Sequence, residues 1–340
     1  MSKAFSDSFR SNSGRRAVIA CSAGFFILLG VMILSIMNGA AKISIDTIMN
    51  ALFRYDPTDS AQVVIMKLRL PRIILSLLVG TSFAVAGSIM QGITQNPLAD
   101  SGLLGLNAGA GFAVSICFAF FPGLHYAGLA FWSFIGAACS SLLVSRIARS
   151  GFDVITPSRM VLAGAAVNAL LSSLSKGIAL YYHVGQDILF WTVGGTAGTD
   201  WQQVFIMIPI TLIAVLFAVM LSGSITVLSM GDETAASLGL NVQRTRLFCS
   251  MIVMLLAGSS VAVVGSVSFV GLIVPHIVRY FVGSDYRYVV PVSAVFGAIL
   301  FLLADFGARM IHPPFETPVG SVIALIGVPF FLYLARKGDR

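Results

Sequence analysis

Charge is scarce in this sequence. Asp, Glu, Lys and Arg together make up 10% of its 340 residues, against about 25% in a soluble globular domain. A water-soluble fold needs more polar surface than that, so a soluble enzyme is excluded. Disorder is excluded too, because 57% of the residues are Ala, Val, Ile, Leu, Met, Phe, Trp, Tyr or Cys and disordered chains are poor in such residues. Cysteine is sparse: Cys21, Cys117, Cys139 and Cys249 stand singly inside apolar runs. They offer neither a disulfide framework nor a metal-ligand spacing, and read as small packing residues. The four histidines, His125, His183, His276 and His312, are far apart and read as structural or interfacial. No Walker A pattern, helical His-Glu-x-x-His or Gly-x-Ser-x-Gly elbow occurs. The chain therefore lacks the usual phosphate loop for ATP, and an intramembrane enzyme has no visible machinery.

Long apolar runs take the place of these missing features. A bilayer core about 30 Å thick needs about 20 apolar residues per helix. Ten runs meet or approach that length: 17–37, 70–91, 103–121, 127–144, 159–181, 204–221, 247–267, 269–282, 289–310 and 319–334. The eighth is the shortest and contains Pro275, His276 and Arg279. The first is too long for a cleavable signal and reads as a retained span. The expectation is an all-α polytopic membrane protein with ten transmembrane helices in a single domain over 1–340. With the 1–16 tail placed in the cytoplasm, both termini lie there. That orientation puts 14 of the 21 Lys and Arg residues inside and 7 outside, in the direction of the positive-inside rule. The net charge of +7 then sets topology, and no nucleic-acid partner is implied. Small residues recur along the helices, at Gly80, Ala84, Gly87 and Ser88, at Gly105, Gly109 and Ala113, and at Gly164, Ala165 and Ala169. They suit either close helix packing or a helix wall beside a cavity, with Ser172, Ser173 and Ser175 facing water.

Four places interrupt the apolar pattern. Outside the first span, 46–53 reads as a short surface helix ended by Asp56-Pro57. At 92–107, GITQNPLADSGLLGLN carries an Asn96-Pro97 turn, then Asp100 or Ser101 as a helix cap. At 228–246 a cytoplasmic loop contains one or two helical turns. Asp232 is expected to cap their free N–H groups, with Glu233 near the positive end. Ala235, Ala236 and Leu238 form a small apolar face, and Gly239 is a left-handed terminator. So short a helix is marginal alone; it either docks on a partner or packs on its own bundle. On the outer side, Arg69 and Arg72 flank Leu70-Pro71, and Arg309 follows Asp305 by one helical turn. These arginines either snorkel at the interface or form a positive rim that meets carboxylates of an extracellular protein.

These segments resemble the FecCD family of ABC importer permeases, the type II fold of cobalamin, haem and ferric-siderophore uptake. Five motifs carry the resemblance: RLPR at 69–72, GITQNPLADSGLLGLNAGAG at 92–111, GDETAASLGL at 231–240, GSVSFVGLIVPHIVR at 265–279 and LLADFGAR at 302–309. It extends over about 17–337, with Ser101 where the family normally has proline. The resemblance implies a permease subunit that pairs with a second, identical or paralogous, permease around a central path. ABC ATPase subunits, which bind the ATP and Mg, would dock beneath. An extracellular or periplasmic substrate-binding protein, possibly a lipoprotein, would dock above. It assigns coupling to Asp232, Glu233, Ala235, Ala236, Leu238 and Gly239, and binding-protein contacts to Arg69, Arg72 and Arg309. It places Pro157 and Ser158 at an inner gate, with Ser172 on the path. The implied location is the bacterial cytoplasmic membrane. The implied cargo is an iron-siderophore complex, with cobalamin or haem as alternatives and an ion-coupled secondary carrier as the competing class.

Overall fold

The computed structural model describes residues 2–39, 43–148, 157–312 and 315–338, and its regular elements are all helical. The helices are α1 (Ser2–Met37), α2 (Ile45–Phe53), α3 (Ser60–Val64), α4 (Leu70–Ile93), α5 (Leu106–Phe120), α6 (Tyr126–Ala148), α7 (Pro157–Tyr181), α8 (Gly185–Val193), α9 (Trp201–Leu228), α10 (Asp232–Ser237), α11 (Val242–Val264), α12 (Val270–Val282), α13 (Tyr286–Ile311) and α14 (Val319–Gly338). Seven described helical stretches are long and apolar enough to cross a membrane, and the apolar helices at Leu106–Phe120, Val270–Val282 and Val319–Leu334 are shorter. These ten coincide in place with the ten apolar runs.

The second stretch is longer than its apolar run. Helix α3 and a π turn at Ile65–Arg69 lead straight into α4, so Ser60–Ile93 is one continuous stretch. Pro71 in the first turn of α4 has no N–H for the carbonyl four residues back, and its ring crowds that carbonyl. The wider π turn moves the carbonyl aside, so the helix passes through the proline. The third stretch is shorter than expected. Residues Ser101–Leu104 form a 3-10 turn, Gly105 adopts φ 73° in the left-handed region, and α5 starts only at Leu106. Helix α8 is absent from the apolar-run reading, because nine residues cannot span and its composition is not distinctive.

Helix α4 is the buried axis of the fold, with α13, α11, α9 and α12 packed around it. Helix α5 packs on α6 and α7, and α11 joins the two groups by touching α4 and α6. Small residues set these distances. A Cβ on Gly80 would lie 2.3 Å from the Gly297 carbonyl oxygen, and one on Gly297 would lie as close to Gly80. Gly109 and Gly136 approach each other in the same way, at 2.3 Å. The backbones meet because the side chains are missing. Helix α7 divides differently. Met160, Ala163, Gly164 and Val167 are buried, whereas Ala165, Ala169, Ser173 and Lys176 are exposed.

Candidate functional site

At the start of α4 and the end of α13, Arg72 and Arg309 meet on one buried carboxylate, with Arg69 beside Arg309. Asp305 is 0% exposed. Arg72 Nη2 lies 2.9 Å from Asp305 Oδ1, and Arg72 Nε donates to the same oxygen at 3.0 Å. Arg309 Nε sits 3.3 Å from Asp305 Oδ2, one turn along α13. Thr196, in the α8–α9 connection, donates its hydroxyl to Asp305 Oδ1. The remaining edge of Arg72 is taken by Glu316, with Nη1 to Oε1 at 2.5 Å. Arg309 also donates to the Ser35 hydroxyl, and Arg69 donates to the Ile36 carbonyl, both on α1. Arg69 and Arg309 are close enough to repel each other. Arg72 and Arg309 thus share Asp305, and Arg72 holds Glu316 as well.

These arginines are largely buried, whereas the sequence left either snorkelling at the interface or an open rim. Only the Asp305–Arg309 pairing was visible in advance, because residues four apart on a helix are neighbours. Arg72 is 233 positions from Asp305, and no periodicity announces that contact. Thr196, Glu316 and Ser35 carried no sequence signal at all. A polar group this buried needs charged partners and hydrogen bonds to offset its lost hydration, and the cluster supplies both.

At the other end of α4 stands α10. The residue preceding it is Gly231 (φ 120°), and no side chain caps it. Asp232 therefore does not cap the helix as expected. Its carboxylate turns to Arg246 Nη2 at 2.9 Å and accepts from Gln95 Nε2 at 2.8 Å. A buried cation outcompetes a backbone N–H that water can reach. Arg246 also donates to the Ile93 carbonyl at 3.2 Å, so the short helix is tied to the last turn of α4. Its far end closes as expected. Gly239 has φ 82°, Leu240 N–H reaches the Ala235 carbonyl at 3.0 Å, and Gly239 N–H reaches the Ala236 carbonyl at 2.9 Å. This pair of bonds is the Schellman arrangement.

The expected apolar face of α10 is split. Ala235 is 0% exposed, whereas Glu233, Ala236 and Gly239 are open and Leu238 is 66% exposed. Consecutive helical residues point about 100° apart, so Ala235 faces the bundle and Ala236 faces away. Met230, just before the helix, is exposed as well. The outcome is a short helix anchored at its root and bare on its outer side.

Residues 92–107 are more than a hairpin. Asn96 makes the expected turn, accepting from Leu98 N–H at 2.9 Å, and Asp100 caps the 3-10 turn through Ser101 N–H at 2.7 Å. The segment then folds inward, burying Ala99, Ser101 and Leu104 against the helices. Enclosure pushes the Asp100 carboxyl above the usual aspartate range, against the Ser101 bonds that lower it. Pro157 and Ser158 open α7, Ser158 is exposed, and Ser172 is half-buried farther along that helix. Residues 149–156, on the approach to the expected gate, lie outside the described residues. Among the described residues, no three His, Cys, Asp or Glu side chains gather as metal ligands.

The FecCD transport family matches residues 27–337. The chain is 45% identical over 324 residues to the iron(3+)-hydroxamate import system permease protein FhuB of Bacillus subtilis (strain 168), covering 95% of this chain and 84% of that one. It is 44% identical over 329 residues to the Fe(3+)-citrate import system permease protein YfmD of the same organism, covering 97% of each. Among solved structures, a metal-chelate type ABC transporter in an inward-facing conformation matches with a TM-score of 0.83 and 27% identity, over 93% of this chain and 98% of that one. The all-helical fold is thus that of a type II ABC importer permease, and the chain is a multi-pass membrane protein. By sequence across nearly its whole length, and by fold, this chain belongs to the FecCD transport family.

Proposed function

We propose that the chain is the permease subunit of an ATP-driven importer for a ferric siderophore, of hydroxamate or citrate type, working by alternating access. One observation carries this reading: α4 bears the buried arginine cluster at its first turn and the anchored, outward-facing α10 at its last. A single stiff element joins a charged site on one side of the membrane to a bare helix on the other. Helix α10 is the part a separate ATPase would push, through Glu233, Ala236, Leu238 and Gly239, while Asp232 and Ala235 fasten it to the bundle. The arginine end is where carboxylates of a substrate-binding protein would dock, through Arg69, Arg72 and Arg309.

In this reading α10 and both termini are cytoplasmic, and the permease carries no cofactor of its own. The open face of α7, with Ala165, Ala169, Ser173 and the half-buried Ser172, lines the path opposite a second permease, identical or paralogous. Pro157 and Ser158 stand at its inner mouth. The chain conducts and couples, and hydrolysis occurs on the partner subunits. Asp305, the acid buried in α13, is engaged by two arginines and so is a poor proton relay of the kind an ion-coupled carrier uses.

Deletion of the gene and growth under iron limitation tests the proposal. Growth on ferric hydroxamate or ferric citrate as sole iron source should fail, and should return with the wild-type copy. Unimpaired growth on both would remove the siderophore assignment.

A further inference from the structure

The two carboxylates that hold Arg72 are not equivalent. Asp305 is fully buried and takes Nε and Nη2 of the guanidinium. Glu316 lies in the connection between α13 and α14, takes only Nη1, and its side chain is 43% exposed. Arg72 itself is 11% exposed at the side chain, and Nη1, on the edge that Asp305 leaves open, is the nitrogen that Glu316 takes. An ion pair open to water is weak and screened by salt. A buried forked pair resists opening, because either partner left alone is an uncompensated charge. Glu316 is therefore the exchangeable half of the pair, and Asp305 the fixed half.

We infer that Glu316 is an internal stand-in for the partner's acid. In the undocked permease it occupies the outward edge of Arg72; on docking, a carboxylate of the substrate-binding protein takes that edge and Glu316 swings to water. The geometry suits exchange. A guanidinium offers its N–H groups in a planar fork, and the inner edge stays on Asp305 throughout. The exchange swaps one exposed carboxylate for another, so it alters affinity by a modest factor without opening the buried cluster. The clustering of three arginines at this end supplies the complementarity for an acidic partner. This inference rests on the docking reading above.

The test uses the assembled importer in nanodiscs, with its ATPase and second permease subunits, and its substrate-binding protein as the titrant. Glu316→Gln keeps the side-chain volume and removes the competing charge, and Glu316→Ala removes the competitor by a second route. Both variants should bind the substrate-binding protein about two- to fivefold more tightly at low ionic strength. The gain should shrink at high salt. In parallel, surface Asp and Glu residues of the substrate-binding protein are changed one at a time to Asn and Gln. At least one change should weaken binding and cancel the gain from Glu316→Gln. If a partner carboxylate matters but both Glu316 variants bind with unchanged or weaker affinity, the exchange is wrong and docking stands. If no carboxylate change affects binding, the docking reading itself fails, and the exchange with it.

Discussion

Asp305 and Glu316 bind the same arginine, yet their removal should have very different costs. Asp305→Asn would leave Arg72 and Arg309 buried without their common counter-charge, and breaking a buried pair typically costs about 3–5 kcal/mol. Glu316→Gln loosens a part-exposed pair worth about 0–1 kcal/mol. Thermal unfolding in detergent should therefore show a large loss for Asp305→Asn and almost none for Glu316→Gln. Equal losses would contradict the buried-versus-exchangeable distinction. Asp285 gives a second test, by pH. It accepts from Arg287 N–H at 3.0 Å at the start of α13 and from the Thr226 hydroxyl at 3.1 Å. Burial pushes its carboxyl up, but the Arg287 and Thr226 bonds outweigh that, and the net shift is downward. A depressed folded value means the stabilisation is present above the ordinary aspartate value of about 3.9 and is lost as pH falls through the lowered one. Asp285→Asn should thus be less stable than wild type by about 0.3–1 kcal/mol at neutral pH, with the two converging on acidification. A difference that persists at low pH would assign the effect to packing. Single residues were partly legible in the sequence. The Asp305–Arg309 pair was visible because both lie on one helix. The Arg72–Asp305 fork was not, because it joins helices distant in the chain.

Helix α10 was legible as an element but not in its orientation. Its terminator at Gly239 followed from a glycine after a short helix, whereas its start did not follow from Asp232, because Arg246 claims that carboxylate. The orientation makes neighbouring positions respond differently. Ala236→Arg changes only the exposed side, so the protein should insert and fold normally while ATP-coupled uptake falls at least tenfold. Ala235→Arg would force a charge into a fully buried position and should reduce folded protein in the membrane. If Ala236→Arg supported full uptake, the coupling role would be lost. Helix contacts offer a further test. Gly109→Val would bring new atoms onto the Gly136 backbone, already 2.3 Å from a bare Cβ. It should cost several kcal/mol by overpacking, read as loss of monodisperse protein on gel filtration. The elements that sequence reading missed have physical reasons. Helix α8 is too short to register as a span, and the 92–107 segment folds inward through contacts with helices that arrive later in the chain. The long apolar helices were plain, since every crossing must satisfy its own backbone.

At the scale of the molecule, α4 is the feature that joins the two ends. Its first turn holds the arginine cluster, its middle is enclosed by four helices, and its last turn is bonded to the root of α10. On the proposed coupling, a displacement of α10 would reach the most buried helix of the fold. In the proposed reading, the exposed face of α7 meets a second permease. A cysteine introduced at Ala169 or Ser173 should cross-link between permease subunits, whereas one at Phe205, on the exposed side of α9, should not. The central claim is that this chain conducts its cargo only when a separate ATPase acts on α10. The most direct measurement is ferric-siderophore uptake into proteoliposomes holding the permease subunits, with the substrate-binding protein outside. The account predicts uptake when the ATPase and ATP are supplied in the lumen, and none when either is omitted. Uptake by the permease subunits without an ATPase, driven by an ion gradient, would contradict it.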